Sequence, residues 1–332
     1  AARFYRSVIR SDARLDYDGL DRIFAGAERA PEPVADAVGN ARAAAELLGE
    51  RFEGSSLSVS GDEPEFKFDD RGHVEEAHVV RQTESHRLIE RLMVMTNEQV
   101  ALLTERKGVP SMYRVHEQPD PDRVEHLIDQ LDSLDVPTPP VPQTMSPSEA
   151  GALAVAASAM VAEEAERRGH GAATLSSLVL RAMKPARYSE RNLGHAGLGL
   201  AAYAHFTSPI RRYPDLVAHR ALLAVTGGGE QAADRHDVGP WAEHCSEAER
   251  DSMRIERDGD DICLAFLLAR ELYESGWERV FEGEVSGVVG AGAFVRFRGD
   301  MSDAYEGFLP ARLIRGDRYE LNELESALVG LR

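Results

Sequence analysis

Residues 203–220 read Y-A-H-F-T-S-P-I-R-R-Y-P-D-L-V-A-H-R, the most informative stretch of this 332-residue chain. Ser208-Pro209 ends a loop and opens a helix, because proline fits a first turn whose N–H groups have no intrahelical partner. Arg211 and Arg212 follow at once, at a helix N-terminus where free amides and the dipole favour an anion. A guanidinium grips phosphate through paired hydrogen bonds and stays charged at any relevant pH. Tyr203, His205, Phe206 and Tyr213 supply ring faces or hydroxyls on which a base or ribose can rest. A random Arg-Arg at a helix start is usually a structural ion pair. Here the density of special residues favours a phosphodiester ligand.

The segment resembles the signature of the ribonuclease II / ribonuclease R (RNB) family of exoribonucleases. Leu15-Asp16-Tyr17-Asp18 is similar to the family's A-R-L-T-Y-D element, and His86 to Asn97 to its H-x-L-I-E-E-x-M-x-x-A-N helix. Tyr113 to Pro119 (Y-R-V-H-E-Q-P) is similar to the loop that follows, and His244 to Asp258 to the helix after the signature. The matches run in family order along nearly all of the chain. The resemblance implies an α+β fold: the C-terminal part of an RNB catalytic domain over 1–274, a mixed sheet with packed helices. A truncated OB-fold RNA-binding β-barrel over 275–332 would follow it. The implied activity is 3′-to-5′ hydrolysis of single-stranded RNA, processively, to nucleoside 5′-monophosphates, with magnesium. A cytoplasmic monomer is expected. The alternatives are a catalytically inactive RNB-like RNA-binding or regulatory protein, or an acidic helical scaffold.

Composition is consistent with this frame and excludes several others. An apolar content of 43% is ordinary for a globular protein. No run of 18 apolar residues exists, so no membrane helix is expected. Ala1-Ala2-Arg3-Phe4 has neither an initiator Met nor an apolar signal region and reads as an internal start. Cys245 and Cys263 are the two cysteines, which makes a disulfide framework and a structural zinc site poor readings. The net charge of −19 argues against a surface that coats nucleic acid nonspecifically. It leaves room for a local basic channel, since screening confines fields to about 8–10 Å.

The organisation follows from periodicity and breakers. Phe4 to Leu15 reads as a strand and Asp16 to Phe24 as a short helix with an acidic first turn. Pro33 to Phe52 reads as a helix; Leu57, Val59, Phe66, Phe68, Val74 and Val79 suggest strands around turns at Gly61-Asp62 and Arg71-Gly72. Glu84 to Lys107 carries apolar residues at helical spacing and closes at Gly108. Further helices are expected over Pro147–Arg168, Thr174–Met183, Tyr213–Val225 and Val238–Glu274. After Ser275-Gly276, alternating segments at Val280–Val289, Ala293–Phe297 and Gly307–Pro310 resemble the OB-fold domain of the family. With five strands needed, this barrel is expected to stop short of its last one or two.

Candidate site residues come from the resemblance, weighed against chemistry. Arg211 matches the position that contacts the phosphate beside the cleaved bond, where charge neutralisation carries phosphoryl transfer. Glu256, in R-I-E-R-D, matches a family glutamate near the reacting end; a solvated helix glutamate is the plainer reading. Tyr17 and Glu90 match the pair that recognises ribose, and a carboxylate accepts from a 2′-OH. Tyr203, His205, Ser208 and Arg212 complete the expected RNA contacts. Arg91 departs from a family acid. Val59 aligns to a base-stacking aromatic, and Phe66 and Phe68 read as core. The family's magnesium is held by aspartates upstream of the element at Leu15–Asp18, so ligands are expected ahead of this chain and no metal residue is named within it. Asp258, Asp260 and Asp261 lack a calcium-loop pattern and read as a solvated helix face.

Overall fold

The computed structural model describes residues 2–52, 54–59, 63–80 and 82–314, and the backbone of 318–322 and 327–331. In chain order the elements are α1 (Tyr17–Phe24), α2 (Ala35–Phe52), β1 (Pro64–Phe68), β2 (Val74–Val79), α3 (Glu84–Lys107), β3 (Tyr113–Val115), α4 (Pro121–Ser133) and α5 (Pro147–Arg168). Then come α6 (Ala172–Ala182), β4 (Arg187–Ser189), α7 (Tyr213–Val225), α8 (Arg235–Ser275), β5 (Gly283–Val289), β6 (Gly292–Phe297), β7 (Tyr305–Pro310), β8 (Arg318–Asn322) and β9 (Ala327–Leu331). The fold is α+β, with long helices and small antiparallel sheets.

Local chemistry sets most boundaries. Asp16 caps α1 by accepting the Gly19 N–H at 2.7 Å, satisfying one of the orphan amides of the first turn. Ser146 and Glu149 form a reciprocal capping box on α5, with Pro147 in the first turn. α3 and α5 both end on left-handed glycines, Gly108 at φ 63° and Gly169 at φ 73°, where a side chain would strain the backbone. The β1–β2 turn uses Gly72 at φ 82°, while Asp69 accepts the Arg71 and His73 amides at 2.8 Å each. α8 runs 41 residues and carries Pro240 inside its second turn.

Two compact units interleave along the chain. The first comprises Ala1–Ser56, Gln82–Glu117 and Pro185–Arg250; the second comprises Leu57–Arg81, Gln118–Lys184 and Asp251–Arg332. In the first unit, β3 and β4 pair antiparallel, Tyr113 opposite Ser189. Its core includes Met112, Tyr188, Val217, Ala233, Val238 and Ala242, with Trp241 packed against them. In the second, α4, α5 and α6 enclose Leu127, Leu131, Val161, Leu175 and Val179. Val74, Ala77, Leu267 and Tyr305 form its other core. There the buried carboxylate of Glu271 accepts the Tyr305 hydroxyl at 3.1 Å and pairs with Arg279 at 2.9 Å.

Several expectations are corrected. Phe4 to Leu15 forms no strand: strands exist through pairing, and this stretch pairs with none of the described residues while Val8 and Ile9 lie open to solvent. Phe4 packs against Val100, Ala218 and Leu222, and Arg6 pairs with Glu230 at 2.6 Å. Leu57 and Val59 lie outside strands, and Phe68 is 52% exposed rather than core, whereas Phe66 packs on the second unit's core. The Gly61-Asp62 turn lies outside the described residues. The segment at Tyr113 is a strand, not a loop. α4 is an additional helix; its four buried residues Val124, Leu127, Ile128 and Leu131 recur at helical spacing between charged positions. After Gly276, β5, β6 and β7 form a three-stranded meander and β8–β9 a separate pair, so among the described residues five strands are present without a closed barrel.

Candidate nucleic-acid interface

The signature segment crosses from Ala202 to Arg212 without regular secondary structure and enters α7 at Tyr213. Ser208-Pro209 therefore does not open the helix. Instead the Arg211 and Arg212 amides bond back to the Ser208 carbonyl at 3.3 and 3.1 Å, making a turn. Pro214 takes the first-turn proline position, and Arg212, extended at φ −127° and ψ 118°, is the residue flanking the helix. The positive end of α7 is met from within the chain by Asp215, which is fully buried in the first turn. The expected anion site at this helix end is thus already filled by a carboxylate of the chain.

The backbone of the segment is held from both sides. The Arg114 amide donates to the Tyr203 carbonyl at 2.9 Å, and the Phe206 amide donates to Asn97 Oδ1 at 3.1 Å. His219 Nε2 bonds the Phe206 carbonyl at 3.0 Å, with the two rings stacked at 4.0 Å. The Ser208 amide donates to Asp215 Oδ1 at 2.7 Å. A loop anchored at so many of its polar groups keeps one conformation.

Beneath it runs a ladder of rings in edge contact. Centroids lie 5.2 Å apart for His116–His195, 5.3 Å for His195–Tyr203, 5.7 Å for Tyr203–His205 and 5.5 Å for His205–Tyr188. Such edge-to-face contacts suit the ring quadrupoles. Tyr188 and His205 Nδ1 share a hydrogen bond of 2.8 Å, and Asn97 Nδ2 donates to the Tyr203 hydroxyl at 3.0 Å. The Arg114 guanidinium lies over the Tyr188 ring and pairs with Glu249. Burial, then the nearby Arg212 and Arg114, lowers the His205 pKa to about 3. Burial, then His116 and Arg114, lowers that of His195 to about 3 as well. Both rings are therefore neutral at pH 7 and contribute no positive charge.

The expected residues divide accordingly. Tyr203 is buried, with its faces and hydroxyl spent on neighbours, so it offers no platform to a base. His205 supports the same ladder. Arg212 is committed to Asp215 through two bonds of 2.8 Å. Arg211 is exposed, and its guanidinium has no ion-pair or hydrogen-bond partner among the described residues. In a chain of 57 acids and 38 Lys and Arg, an unpaired arginine on a rigid loop is a ready anion ligand. Tyr213 is 47% exposed and rests edge-on against Trp241.

Tyr17 stacks on His86 at 3.9 Å, and Glu90 lies one turn further along α3, exposed, so this pair shares one face. Arg91 turns away and donates to the Ala45 carbonyl of α2 at 3.1 Å, leaving Glu90 without its charge. Glu256 is exposed on α8 in the second unit, and Val59 also belongs to that unit. Asp258 and Asp261 are exposed; burial and then Glu256 raise the pKa of Asp260. Among the described residues no three His, Cys, Asp or Glu side chains stand together as metal ligands. The donor set that magnesium needs is therefore not found within them. No helix among them is long and apolar enough to cross a membrane.

Sequence reasoning missed Asp215, Asn97 and His219. Asp215 had a readable signal, an acid three residues after an arginine in a helix first turn. Asn97 and His219 had none, since their partners lie 109 and 13 residues away.

Comparison with known proteins places the chain in a family. The RNB domain model matches residues 1–228, and the chain belongs to the RNB family. It is 33% identical over 336 residues to a protein of Aquifex aeolicus named ribonuclease R, covering 99% of this chain and 45% of that protein. Ribonuclease R of Escherichia coli K12 is 29% identical over 344 residues, covering 99% and 40%. A structure of Mycoplasma genitalium RNase R in complex with ribose-methylated single-stranded RNA shares the fold, with TM-score 0.81 and 24% identity over 95% of this chain and 48% of that one. The chain thus spans less than half the length of these relatives.

Proposed function

We propose that the protein is a 3′-to-5′ exoribonuclease that hydrolyses single-stranded RNA processively to nucleoside 5′-monophosphates in a magnesium-dependent reaction in the cytoplasm, acting as a monomer. The observation that carries this reading is the exposed Arg211, unpaired among the described residues, on a loop anchored on both sides. Phosphoryl transfer needs positioning and neutralisation of developing charge more than covalent chemistry. Arg211 supplies that charge at the phosphate beside the cleaved bond. The neutral His205 and His195 do not compete for the anion, nor do they serve as bases, with pKa values so far below 7. Magnesium, in this reading, is held by carboxylates that do not stand together among the described residues. Tyr17 and Glu90 read the ribose, Ser208 and Arg212 hold the loop in shape through Asp215, and Glu256 is the second catalytic residue. Residues 1–274 form the RNB part and 275–332 the RNA-guiding OB part. The relatives' names and the RNA in the Mycoplasma structure support RNA as the substrate.

The test is Arg211→Ala in the complete protein, with release of mononucleotides from labelled oligo(A) and its affinity measured in parallel. Turnover is expected to fall about 10²–10³-fold, the cost of removing one donor from a developing oxyanion, while affinity stays nearly intact because many contacts share it. A loss of affinity with unchanged turnover overturns the assignment. Absence of any nucleotide release by the wild-type protein with magnesium would leave an RNA-binding relative.

A further inference from the structure

The two adjacent arginines of the signature have opposite fates, and one buried carboxylate separates them. Asp215 has no solvent exposure. Its Oδ1 accepts the Ser208 amide at 2.7 Å and Arg212 Nη2 at 2.8 Å, and its Oδ2 accepts Arg212 Nε at 2.8 Å. A buried carboxylate that loses a charged donor is strongly unfavourable, so these three groups hold one another in place. The Arg212 side chain is accordingly drawn inward, at 19% exposure. Arg211, one residue earlier and chemically identical, keeps a free guanidinium among the described residues.

The choice between the arginines is made by the loop. Asp215 lies three residues after Arg212 and four after Arg211, and both spacings allow an ion pair within a helix. Neither arginine is in the helix, however. Ser208 ties its amide to the oxygen that also receives Arg212, and both arginine amides bond back to the Ser208 carbonyl. Phe206, two residues before Ser208, is anchored through Asn97 and His219. With the turn pinned at both ends, the extended Arg212 folds over Asp215 and Arg211 stays exposed.

We propose that Asp215 is a positioning residue for the reaction: by holding Arg212 and the Ser208 amide together, it presents Arg211 alone to the RNA phosphate. This rests on the reading of Arg211 as the phosphate ligand. Asp215 does not touch substrate. It removes a rival cation from the loop surface and sets the angle at which the working one emerges.

The experiment is a double-mutant cycle in the complete enzyme, with single-turnover cleavage of labelled oligo(A) and equilibrium affinity measured separately. Asp215→Asn retains an oxygen for the Ser208 amide but releases Arg212. It should lower the cleavage rate roughly 100-fold, the scale of a misplaced catalytic group, while affinity for oligo(A) changes far less. Arg211→Ala combined with Asp215→Asn should be no slower than Arg211→Ala alone, because the group that Asp215 positions is already gone. Replacing the ion pair by a neutral one, Arg212→Gln with Asp215→Asn, leaves no buried charge unpaired. That enzyme should regain most of the lost rate, and it carries the comparison if the single variant does not fold. An Asp215→Asn enzyme of normal rate, a loss fully additive with Arg211→Ala, or a neutral-pair enzyme as slow as Arg211→Ala would each overturn the proposal. A harmless Arg211→Ala would overturn the underlying reading of Arg211 instead.

Discussion

Acidification should destabilise the first unit in a defined window, because its ring ladder is built on two neutral histidines. His195 and His205 titrate near 3 in the folded state against 6.5 for a free ring. The unfolded chain therefore binds more protons between pH 6.5 and about 3, so stability rises with pH there and is lost as pH falls. Between pH 7 and 5 each histidine costs about 2 kcal/mol, at 1.36 kcal/mol per pH unit once the unfolded ring is protonated. That figure depends on the unfolded value and hardly on the folded one. Together the pair removes about 4 kcal/mol, a large part of the roughly 5–15 kcal/mol that holds a domain. Glu164, whose pKa is lowered to about 2 by Arg167 and Arg168, acts below the range from pH 7 to 5, since its contribution is lost only as pH falls from 4.5 toward 2. Urea unfolding followed by Trp241 fluorescence reports on the right core, because Trp241 packs beside Tyr188 whereas Trp277 is 70% exposed. His205→Gln and His195→Gln should each lose less stability than wild type between pH 7 and 5, by about 2 kcal/mol. A wild-type midpoint that does not move over this range, or variants as acid-sensitive as wild type, would refute the assignment of neutral buried rings.

Ribose selection is tested by Tyr17→Phe with Glu90→Ala in the complete enzyme. Cleavage of matched RNA and DNA oligomers should become more alike by a factor of about 5–150, equivalent to roughly 1–3 kcal/mol for an unmade polar contact; an unchanged ratio places selectivity elsewhere. Arg91→Ala should leave that ratio alone, because Arg91 bonds the Ala45 carbonyl and not Glu90. In the second unit, Leu131→Ala removes a fully buried side chain from the α4–α5–α6 core and should cost about 2–5 kcal/mol in denaturant unfolding. A cost under about 1 kcal/mol would mean that this core is loosely packed.

Short-range chemistry is legible in the amino-acid sequence. The ends of α3 and α5 follow from apolar spacing, Ser146-Pro147 and the glycines at 108 and 169, since capping and left-handed closure involve neighbours within a turn. The signature at 203–220 is equally plain. What the sequence does not convey is which of its groups remain available. Arg211 and Arg212 are the same residue at adjacent positions, and the anchored loop together with the buried Asp215 decides that one is structural and the other exposed. His205 reads as a ring on which a base or ribose can rest; burial beside two arginines makes it a neutral packing element. Tyr203 reads as a stacking face, yet it is spent on Asn97, His195 and His205, partners brought from up to 106 residues away. Phe4 to Leu15 alternates like a strand but finds no partner among the described residues, while Tyr113–Val115 becomes one by pairing with Arg187–Ser189. Sequence alone determined most of the helices, their caps and the family, because helix and cap formation rest on interactions spanning a few residues and the family on motifs of similar length. Burial, strand pairing and the division of labour between neighbouring arginines were decided by tertiary structure, because each depends on groups that only folding brings together.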